Sequence, residues 1–581
     1  MVREWTFVCN RSLTVAARIG VADASIRAAT VRERSYPLLM PMNRRDWLRS
    51  ALALTGSLPL DWSAFPVAHA APADPDRFDA VIVGSGLGGL SCAAAFARQG
   101  FKALVLEQHD KPGGYATAFK RPGGFTFDVS LHSTTVGERN GIRNLMAGFP
   151  EIQDVEFVPH PTLYRTIFPQ HDIRVAQRDL PAYIRTLSGY FPQEQEGIQA
   201  LFDGMVALRQ EIDRLSAAGG KMDMGRMPID FPHVVASSGR TWGAIVDARL
   251  KDPKLKAIVS SLWGYYGLPP SKLSSFYYAL PTISYLTEGG YYPKGRSQDI
   301  SNAFVRSIEK RGGKVLLNSR VEKILTKGGA AYGVRTAAGQ EYQARVVVSN
   351  ASAYNTFHKL LDPDDRLAPY LARLDGFSVS LSSFIVFLGL KQDLVRQLGL
   401  KDTEIFYDSG YDLEATYRGA LSSDMTNPGF GATLYDNLFE SYSPAGKNTI
   451  TLMTLQGFDH WKPFEAAYAK GDKAAYRQEK ERMADILIRQ AERVLLPGLS
   501  KAIEVKEIAT PLTNVRYTGN YRGAIYGWDQ TLDNSNPRRL GHATPVGSLY
   551  LSGAWTSPGG GYGGVLASGL QCFSEIMTKW G

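Results

Sequence analysis

The sequence has few cysteines, and their placement excludes several classes of protein. Only Cys9, Cys92 and Cys572 occur in 581 residues. They form no Cys-x-x-Cys pair and no cysteine and histidine spacing that is typical of a metal site. Cys92 and Cys572 lie in apolar, helical sequence contexts, which predicts small buried hydrophobes rather than a disulfide or a catalytic thiol. We therefore expect no metal and a fold stabilised by its core and a cofactor.

The positive charge is modest and lacks the pattern of a nucleic-acid-binding surface. The chain carries 65 Lys and Arg against 56 Asp and Glu, and nine of these basic residues against five acidic ones fall within the first 70 positions. No basic run with interleaved aromatic residues occurs. We expect no nucleic-acid partner, whereas peripheral contact with an anionic membrane surface and an ordinary solvated exterior both fit the composition.

The N-terminal segment lacks the long apolar run of a membrane-spanning helix. Arg44 and Arg45 are followed by an apolar stretch that ends at Leu60, and residues 68–70 form an A-x-A cleavage pattern. This arrangement resembles a twin-arginine signal peptide. It predicts that residues 1–70 are an extension outside the fold and that the mature protein is periplasmic, free or membrane-associated. The alternative is an amphipathic helix with a chance arginine pair.

A glycine-rich motif follows a short β-branched run, DAVIV, at residues 79–83. In a βαβ unit, Gly84 would permit the tight turn, Gly86 would let the backbone approach a pyrophosphate, and Gly89 would permit close packing of the helix on the strand. Glu107 ends the next predicted strand, where its carboxylate can accept hydrogen bonds from a ribose diol. The sequence therefore predicts a dinucleotide site that favours a non-phosphorylated adenosine.

Four further motifs extend this pattern to the C-terminus. They are PGGYATAFKRPGGFTFDVSLH (112–132), GGYYPKGRSQDISNAFVRSIEKRGGKVLLNSRVEKI (289–324), RVVVSNA (345–351) and TPVGSLYLSGAWTSPGGGYGGVLASG (544–569). In this order they resemble the phytoene desaturase and retinol saturase family, within the amine oxidase superfamily, which includes hydroxylating terpene (limonene) dehydrogenases. The resemblance runs from about residue 78 to the end.

The resemblance implies that the cofactor is FAD and assigns residues to each of its parts. The pyrophosphate would meet Gly84, Ser85, Gly86, Gly88 and Gly89, and the adenosine ribose would meet Glu107. The remaining positions implied are Gly114 near the flavin, Val321 at the adenine, and Gly553, Gly564 and Val565 at the isoalloxazine. Ala554 departs from the family pattern, because many relatives have an acidic residue there that binds the ribityl chain.

The implied fold is α/β, with a Rossmann-like FAD-binding domain of the amine oxidase type and an interleaved substrate domain. We expect residues 77–170, 285–375 and 510–581 in the FAD-binding domain, and residues 171–284 and 376–509 in the substrate domain. The stretch 263–292 is dense in Trp, Tyr and Phe. It could line a tunnel for a hydrocarbon or fill an ordinary core, and the sequence favours neither.

The sequence also lacks a Ser-His-Asp pattern and a phosphoryl-transfer loop, so the redox chemistry would reside in the flavin. The resemblance implies hydride abstraction from an allylic C–H of an isoprenoid or polyene, followed by loss of a proton or capture of water. His132 is the first candidate base, with a structural histidine as the alternative. Tyr292, Lys294 and Trp555 are further catalytic candidates by motif position, and each could equally be structural.

The export signal and the single dinucleotide fingerprint make NAD(P)H an unsuitable partner. We expect a hydrophobic isoprenoid, terpene or polyene as substrate and a quinone or cytochrome-type electron acceptor. Two other readings stay open: a redox-neutral polyene isomerase, and a non-catalytic isoprenoid carrier like the Rab GDP-dissociation inhibitors and escort proteins, which share the fold. Amine oxidation fits less well, because the C-terminal flavin loop has no cysteine for a covalent link.

Overall fold

The computed structural model describes residues 60, 62–67, 77–130, 132–136, 142–218, 223–535 and 538–580. Arg44, Arg45, residues 68–70 and Cys9 lie outside these described residues. Cys92 and Cys572 are buried and free, as expected for small hydrophobes. Within the described ranges, no helix combines the length and apolar character needed to cross a bilayer.

The first large sheet carries the glycine-rich motif. Its strand order is β10-β11-β12-β1-β2-β9, and β18 pairs with β12. Strands β12, β1, β2 and β9 run parallel, and so do β18 and β12, as in a dinucleotide-binding fold. The strands are β1 (Arg77–Val83), β2 (Ala103–Leu106), β9 (Lys314–Leu316), β10 (Val321–Lys327), β11 (Ala330–Thr336), β12 (Glu341–Ser349) and β18 (Leu549–Leu551). Strand β2, between β1 and β9, is buried at every position, because helices cover both faces of a parallel sheet.

The second large sheet is mostly antiparallel, with the order β17-β13-β16-β15-β14-β6-β7. Its strands are β6 (Tyr164–Phe168), β7 (His171–Val175), β13 (Ser382–Leu390), β14 (Glu404–Tyr407), β15 (Phe430–Thr433), β16 (Asn448–Gln456) and β17 (Ile503–Ala509). Strands β6 and β7 form one antiparallel hairpin, and β6 runs parallel to β14. The predicted domain boundary after residue 170 therefore falls at the turn of a hairpin that joins this sheet as a unit.

The chain also forms two small, two-stranded sheets. Strands β3 (Ala118–Lys120) and β4 (Thr126–Asp128) form one antiparallel pair. Strands β5 (Phe157–Pro159) and β8 (Tyr291–Pro293) form the other, with Val158 opposite Tyr292. An isolated bridge between Thr134 and Tyr291 then brings the loop that contains His132 beside β8.

The helices cover both large sheets. They are α1 (Leu87–Arg98), α2 (Ile142–Met146), α3 (Pro150–Gln153), α4 (Leu180–Tyr190), α5 (Gln195–Ala217), α6 (Met227–Asp230), α7 (Pro232–Ser237), α8 (Trp242–Asp247), α9 (Pro253–Val259), α10 (Ser275–Glu288), α11 (Arg296–Glu309), α12 (Ala353–Asn355), α13 (Ala368–Asp375), α14 (Leu394–Gln397), α15 (Leu413–Ser422), α16 (Lys462–Ala469), α17 (Ala474–Val494), α18 (Leu499–Ala502), α19 (Pro511–Thr518) and α20 (Tyr562–Trp580). Short 3-10 segments include Ser261–Tyr265 and Tyr521–Gly523, and Thr356–Leu360 is a π-helical turn.

The cores explain how the chain positions its site. Helix α1 is buried along almost its whole length because it lies against the first sheet and against α20, with Phe96 and Phe573 in edge-to-face contact at 5.1 Å. A second core joins helices α4, α5 and α10 to one face of β6 and β14. The space between the flavin motifs and this second core is where the candidate site lies.

Candidate functional site

The glycine-rich turn connects β1 to α1 with little room for side chains. Gly84 has a φ of 93°, and its N–H donates to Leu106 O at 2.8 Å. A Cβ on Gly89 would collide with the carbonyl oxygen of Gly84. Gly86 precedes α1, and no side chain caps this helix end. The first-turn N–H groups of α1 can therefore serve an anion at the positive end of the helix dipole.

Glu107 follows β2 and faces this turn. Its Oε2 accepts hydrogen bonds from Ser85 N at 2.8 Å and from Ser85 Oγ at 2.6 Å, and its Oε1 accepts one from His109 N at 2.9 Å. The backbone oxygen of Glu107 accepts from Ser319 N at 2.6 Å, which brings the turn before Val321 alongside. Val321, the first residue of β10, is buried. These contacts hold the carboxylate at the carboxyl edge of the parallel strands.

The second glycine motif packs directly on the first. Gly113 N donates to Ser85 O at 3.0 Å, and a Cβ on Gly114 would lie 3.3 Å from Gly86 Cα. Gly114 has a φ of 61°, a left-handed conformation that glycine adopts without strain. Gly114 therefore lies at the glycine-rich turn.

The C-terminal motif returns to the same turn. Gly553 has a φ of 89°, and its N–H donates to Ser568 Oγ of α20 at 2.9 Å. Gly564 and Val565 lie in the first turn of α20, where Val565 N donates to Gly561 O at 2.9 Å. The three predicted glycine motifs are thus brought together although they are far apart in the chain.

Asn350 is a residue of this region that the sequence analysis did not select. It follows β12, and its side chain lies among three glycines. A Cβ on Gly86 would be 2.7 Å from Asn350 Nδ2, and a Cβ on Gly88 would be 2.7 Å from Asn350 Oδ1. A Cβ on Gly553 would also collide with Oδ1. The signal that could have identified Asn350 is its position directly after the β-branched run of the RVVVSNA motif, which forms the parallel strand β12.

The catalytic candidates separate into different environments. Tyr292 is fully buried, and its hydroxyl donates to Asp128 Oδ2 at 2.6 Å. Burial and the Asp128 carboxyl raise the pKa of Tyr292 well above its ordinary range, and burial raises the pKa of Asp128. Trp555 is buried, donates from Nε1 to Asn520 Oδ1 at 3.0 Å and contacts Trp528 edge to face.

Lys294 is not brought into this region. Its side chain is 51% exposed, and Nζ lies 3.1 Å from Glu156 Oε2 in a surface ion pair. Such an exposed pair contributes little to stability and shields no reacting group from water. Lys294 therefore has no part in the proposed reaction.

His132 faces a buried carboxyl group that the sequence analysis missed. Its side chain is 18% exposed, and Nδ1 lies 3.8 Å from Oε2 of Glu404, which is 1% exposed. Burial lowers the pKa of His132 to about 4 and raises the pKa of Glu404 well above its ordinary range. Burial thus disfavours the charged form of both groups.

His132 of this pair ends the flavin motif 112–132. Ser130, two residues before His132, donates from Oγ to Tyr115 O at 2.9 Å, and Tyr562 of α20 donates to the same oxygen at 3.4 Å. Tyr115 directly follows Gly114. His132 is thus within a few residues of contacts that join two of the predicted flavin-binding segments.

Aromatic residues of the 263–292 stretch surround the pair on its other side. Tyr265 lies 6.2 Å from His132 and 6.4 Å from Tyr285 between ring centroids, and Phe406 of β14 lies 5.2 Å from Tyr265. Other members of the stretch fill the core, since Tyr278 stacks on Trp242 at 4.3 Å. The stretch therefore contributes both to the core and to the surroundings of His132.

The fold and this site define the class of dinucleotide-binding proteins, here with a second, mostly antiparallel sheet. Its family is the one described as "Flavin containing amine oxidoreductase", which matches residues 87–577, and the chain belongs to it. The protein is an FAD-dependent oxidoreductase, as the sequence predicted.

Similar proteins come from both curated sequences and solved structures. All-trans-retinol 13,14-reductase of Danio rerio is 28% identical over 548 residues, covering 87% of each chain. Prolycopene isomerase 2, chloroplastic, of an Oncidium hybrid cultivar is 27% identical over 523 residues, covering 87% of this chain and 85% of the relative. Putrescine oxidase bound to putrescine shares the fold with a TM-score of 0.56 at 14% identity, over 88% of this chain and all of that one.

The residues of the site fit FAD. The uncapped N-terminus of α1 offers N–H donors for a pyrophosphate at a turn whose glycines carry no Cβ, and Glu107 offers carboxylate acceptors for a ribose. FAD needs donors for its phosphates and an acceptor for its ribose. The C-terminal segment with Gly553 and α20 lies against the same turn.

Proposed function

We propose that the protein is a dehydrogenase that removes a hydride from an allylic C–H bond of a hydrophobic isoprenoid. The observation that carries this proposal is the buried pair of His132 and Glu404, set beside aromatic rings, with His132 at the end of the flavin motif 112–132. An apolar surrounding suits a hydrocarbon chain, and an uncharged base suits proton removal from a cationic intermediate.

FAD, when bound, supplies the two-electron acceptor for the hydride. The imidazole of His132 is neutral because burial lowers its pKa to about 4, so it can take up a proton at neutral pH. A proton lost from a neighbouring carbon gives a new double bond, whereas a proton lost from a captured water gives an alcohol. The aromatic rings around His132 keep bulk water away from either step.

The named relatives support an isoprenoid substrate class. Retinol and prolycopene, which appear in their names, are both conjugated isoprenoids. The particular substrate of this chain is part of the proposal.

The test is anaerobic mixing of the purified yellow protein with a panel of monoterpenes, including limonene, and a carotenoid polyene. We expect one of them to bleach the flavin absorbance, with a product two hydrogens lighter or one oxygen heavier than the substrate. His132→Ala should slow this bleaching at least about tenfold with little change in substrate binding. A panel that leaves the flavin oxidised throughout would contradict the proposal.

Redox-neutral isomerisation of a polyene is the second candidate. The buried carboxyl of Glu404 favours it, because burial raises its pKa and a protonated carboxyl can give a proton to a conjugated chain and take it back. A product of unchanged mass, formed only when the flavin is first reduced, would show that the protein is an isomerase and not a dehydrogenase.

We also propose that the protein works in the periplasm and passes electrons to a quinone or a cytochrome. The support is the arginine pair and the A-x-A pattern of the N-terminal segment. Replacing Arg44 and Arg45 by lysine should retain the protein in the cytoplasm, as measured by fractionation. An unchanged periplasmic fraction would refute the export route.

A further inference from the structure

A cleft of about 410 Å³ opens to solvent beside the core on the face of the first sheet that lies away from α1 and α20. Leu374 of α13 and Trp528 line this cleft and belong to that core. None of its lining residues belongs to the core of α4, α5 and α10, which contains Tyr265. The volume lies within the range of small-molecule sites, about 300–1,000 Å³. We call this feature the aromatic cleft.

Four aromatic rings line the aromatic cleft in two pairs. Tyr354 and Tyr521 stack with their ring centroids 3.8 Å apart and an angle of 16° between the ring planes. The ring centroids of Phe377 and Trp528 lie 5.4 Å apart. Aromatic rings offer large apolar faces on which another flat ring can pack. The cleft therefore favours a ligand with a planar ring.

The cleft also offers an unused hydrogen-bond donor. Trp528 is 1% exposed, and its Nε1 has no hydrogen-bond partner among the residues that the structure describes. Buried N–H groups are normally paired, and an indole nitrogen can only donate. A ligand that completes this site should therefore carry an acceptor such as a carbonyl oxygen.

The charged residues of the cleft favour a ligand without net charge. Asp375 and Arg522 line it, one anion and one cation. Asp375 Oδ1 lies 2.8 Å from Nε2 of His358, and Arg522 Nη2 lies 2.8 Å from Oδ1 of Asp459. These opposite charges already have partners, so the cleft has no surplus of positive charge for a pyrophosphate. This argues against a nicotinamide dinucleotide and for a neutral ring.

Trp528 connects the aromatic cleft to the C-terminal flavin motif. Its ring contacts the ring of Trp555 edge to face, with centroids 4.7 Å apart. Trp555 is two residues after Gly553, which lies at the glycine-rich turn. Trp555 Nε1 also donates to Oδ1 of Asn520, the residue before Tyr521. Two adjacent indole rings therefore lead from a predicted flavin-binding segment to the cleft, and such a series of rings suits the passage of electrons.

We propose that the aromatic cleft binds a quinone, which takes the electrons of the reduced flavin at a place separate from the isoprenoid. The inference rests on the proposed function, because it locates the electron acceptor of that reaction. The quinone ring packs on the aromatic faces, and one of its carbonyl oxygens accepts a hydrogen bond from Trp528 Nε1. Reoxidation of the reduced flavin releases two electrons and two protons. The quinone gains two electrons, and its oxygens take two protons from solvent at the open cleft, which gives a hydroquinone.

The first experiment measures binding to the oxidised, FAD-loaded full chain by titration calorimetry, which needs no turnover. Menadione and 2-methylnaphthalene have the same two-ring shape, and only menadione carries the two carbonyl oxygens. Trp528→Phe keeps a ring in place and removes the N–H donor. We expect it to weaken menadione binding about tenfold, the equivalent of one well-formed hydrogen bond, and to leave 2-methylnaphthalene binding unchanged. Tyr354→Ala should weaken binding of both ligands, because it removes a stacking face.

The matched control is Trp580→Phe, the same substitution in α20 on the other face of the first sheet. Trp580 packs on Phe96 and Phe101 and does not line the cleft. It should bind both ligands like the wild type. Unchanged binding of 2-methylnaphthalene to Trp528→Phe shows that this variant is folded. Menadione binding that is unaffected by Trp528→Phe and Tyr354→Ala would overturn the inference, as would an equal loss in Trp580→Phe.

The second experiment follows reoxidation of the flavin after it has been reduced by light, so it needs no isoprenoid. At low menadione concentration, Trp528→Phe should slow anaerobic reoxidation by about the factor that it costs in binding, and saturating menadione should restore the rate. Reoxidation by a cytochrome alone, at a rate that neither cleft variant changes, would overturn the inference. A protein that passes both experiments but whose flavin no isoprenoid reduces would refute the proposed dehydrogenation and leave the quinone site intact.

Discussion

At the scale of single residues, Glu404 is the group whose charge state depends most on the fold. Its side chain is 1% exposed, and burial raises its pKa well above the ordinary value. The folded protein therefore keeps this proton at pH values where the unfolded chain has released it. Stability is thus lost as the pH rises from about 4.3, the unfolded pKa, toward the folded pKa, by up to about 1.4 kcal/mol per pH unit.

Glu404→Gln removes this titration while preserving the shape of the side chain. We expect the free energy of unfolding of the variant, relative to the wild type, to increase as the pH rises from 4 to 7, measured by urea denaturation at each pH. Glu440→Gln, at an exposed position, is the matched control for replacing a carboxyl group by an amide. A pH-independent difference for Glu404→Gln would mean that the carboxyl ionises normally in the folded protein.

At the scale of elements, the packing of α1 against α20 joins the first and last flavin motifs. Ser91 Oγ donates to Leu566 O at 3.1 Å, a contact between residues 475 positions apart. Gly569 lies at the closest approach of the two helices. A Cβ there would collide with Gly88 O and Ser91 Oγ and would lie 2.9 Å from Cys92 N.

Gly569→Ala should therefore force the helices apart, because the colliding atoms include backbone that cannot rotate away. We expect destabilisation by about 1–3 kcal/mol, the range typical of overpacking, in thermal or chemical denaturation. Gly563→Ala in the same helix is the matched control, since no atom lies within 4 Å of its added Cβ. It should be neutral or slightly stabilising through the higher helix propensity of alanine. Equal effects of the two substitutions would contradict the close approach.

At the scale of the whole molecule, the sequence predicted the flavin motifs better than the surroundings of Glu404. The turn at Gly84, Gly86 and Gly89 has a local pattern, with a β-branched strand before it and a helix after it. Glu404 has no such local pattern, because a glutamate in a short strand is expected to be exposed at the edge of a sheet. Its burial depends on pairing of β14 with β6 and β15, which are distant in sequence. The same long-range pairing explains why hairpin β6–β7 joins the second sheet.

The glycine-rich turn, Asn350 and the C-terminal segment lie together, and Glu107 faces the same turn, so FAD bound there should stabilise the whole fold. A ligand bound only by the folded state contributes about 2.7 kcal/mol at a free concentration one hundred times its Kd. We expect the melting temperature of the deflavinated protein to rise by several degrees when FAD is added at that excess.

Gly86→Ala should fold without FAD, because its Cβ meets only the movable Nδ2 of Asn350 at 2.7 Å, yet it should lose the FAD-dependent rise. Gly189→Ala, a helical glycine with open space around its Cβ, should keep that rise. If the Gly86→Ala variant responds to FAD like the wild type, the pyrophosphate does not bind at this turn.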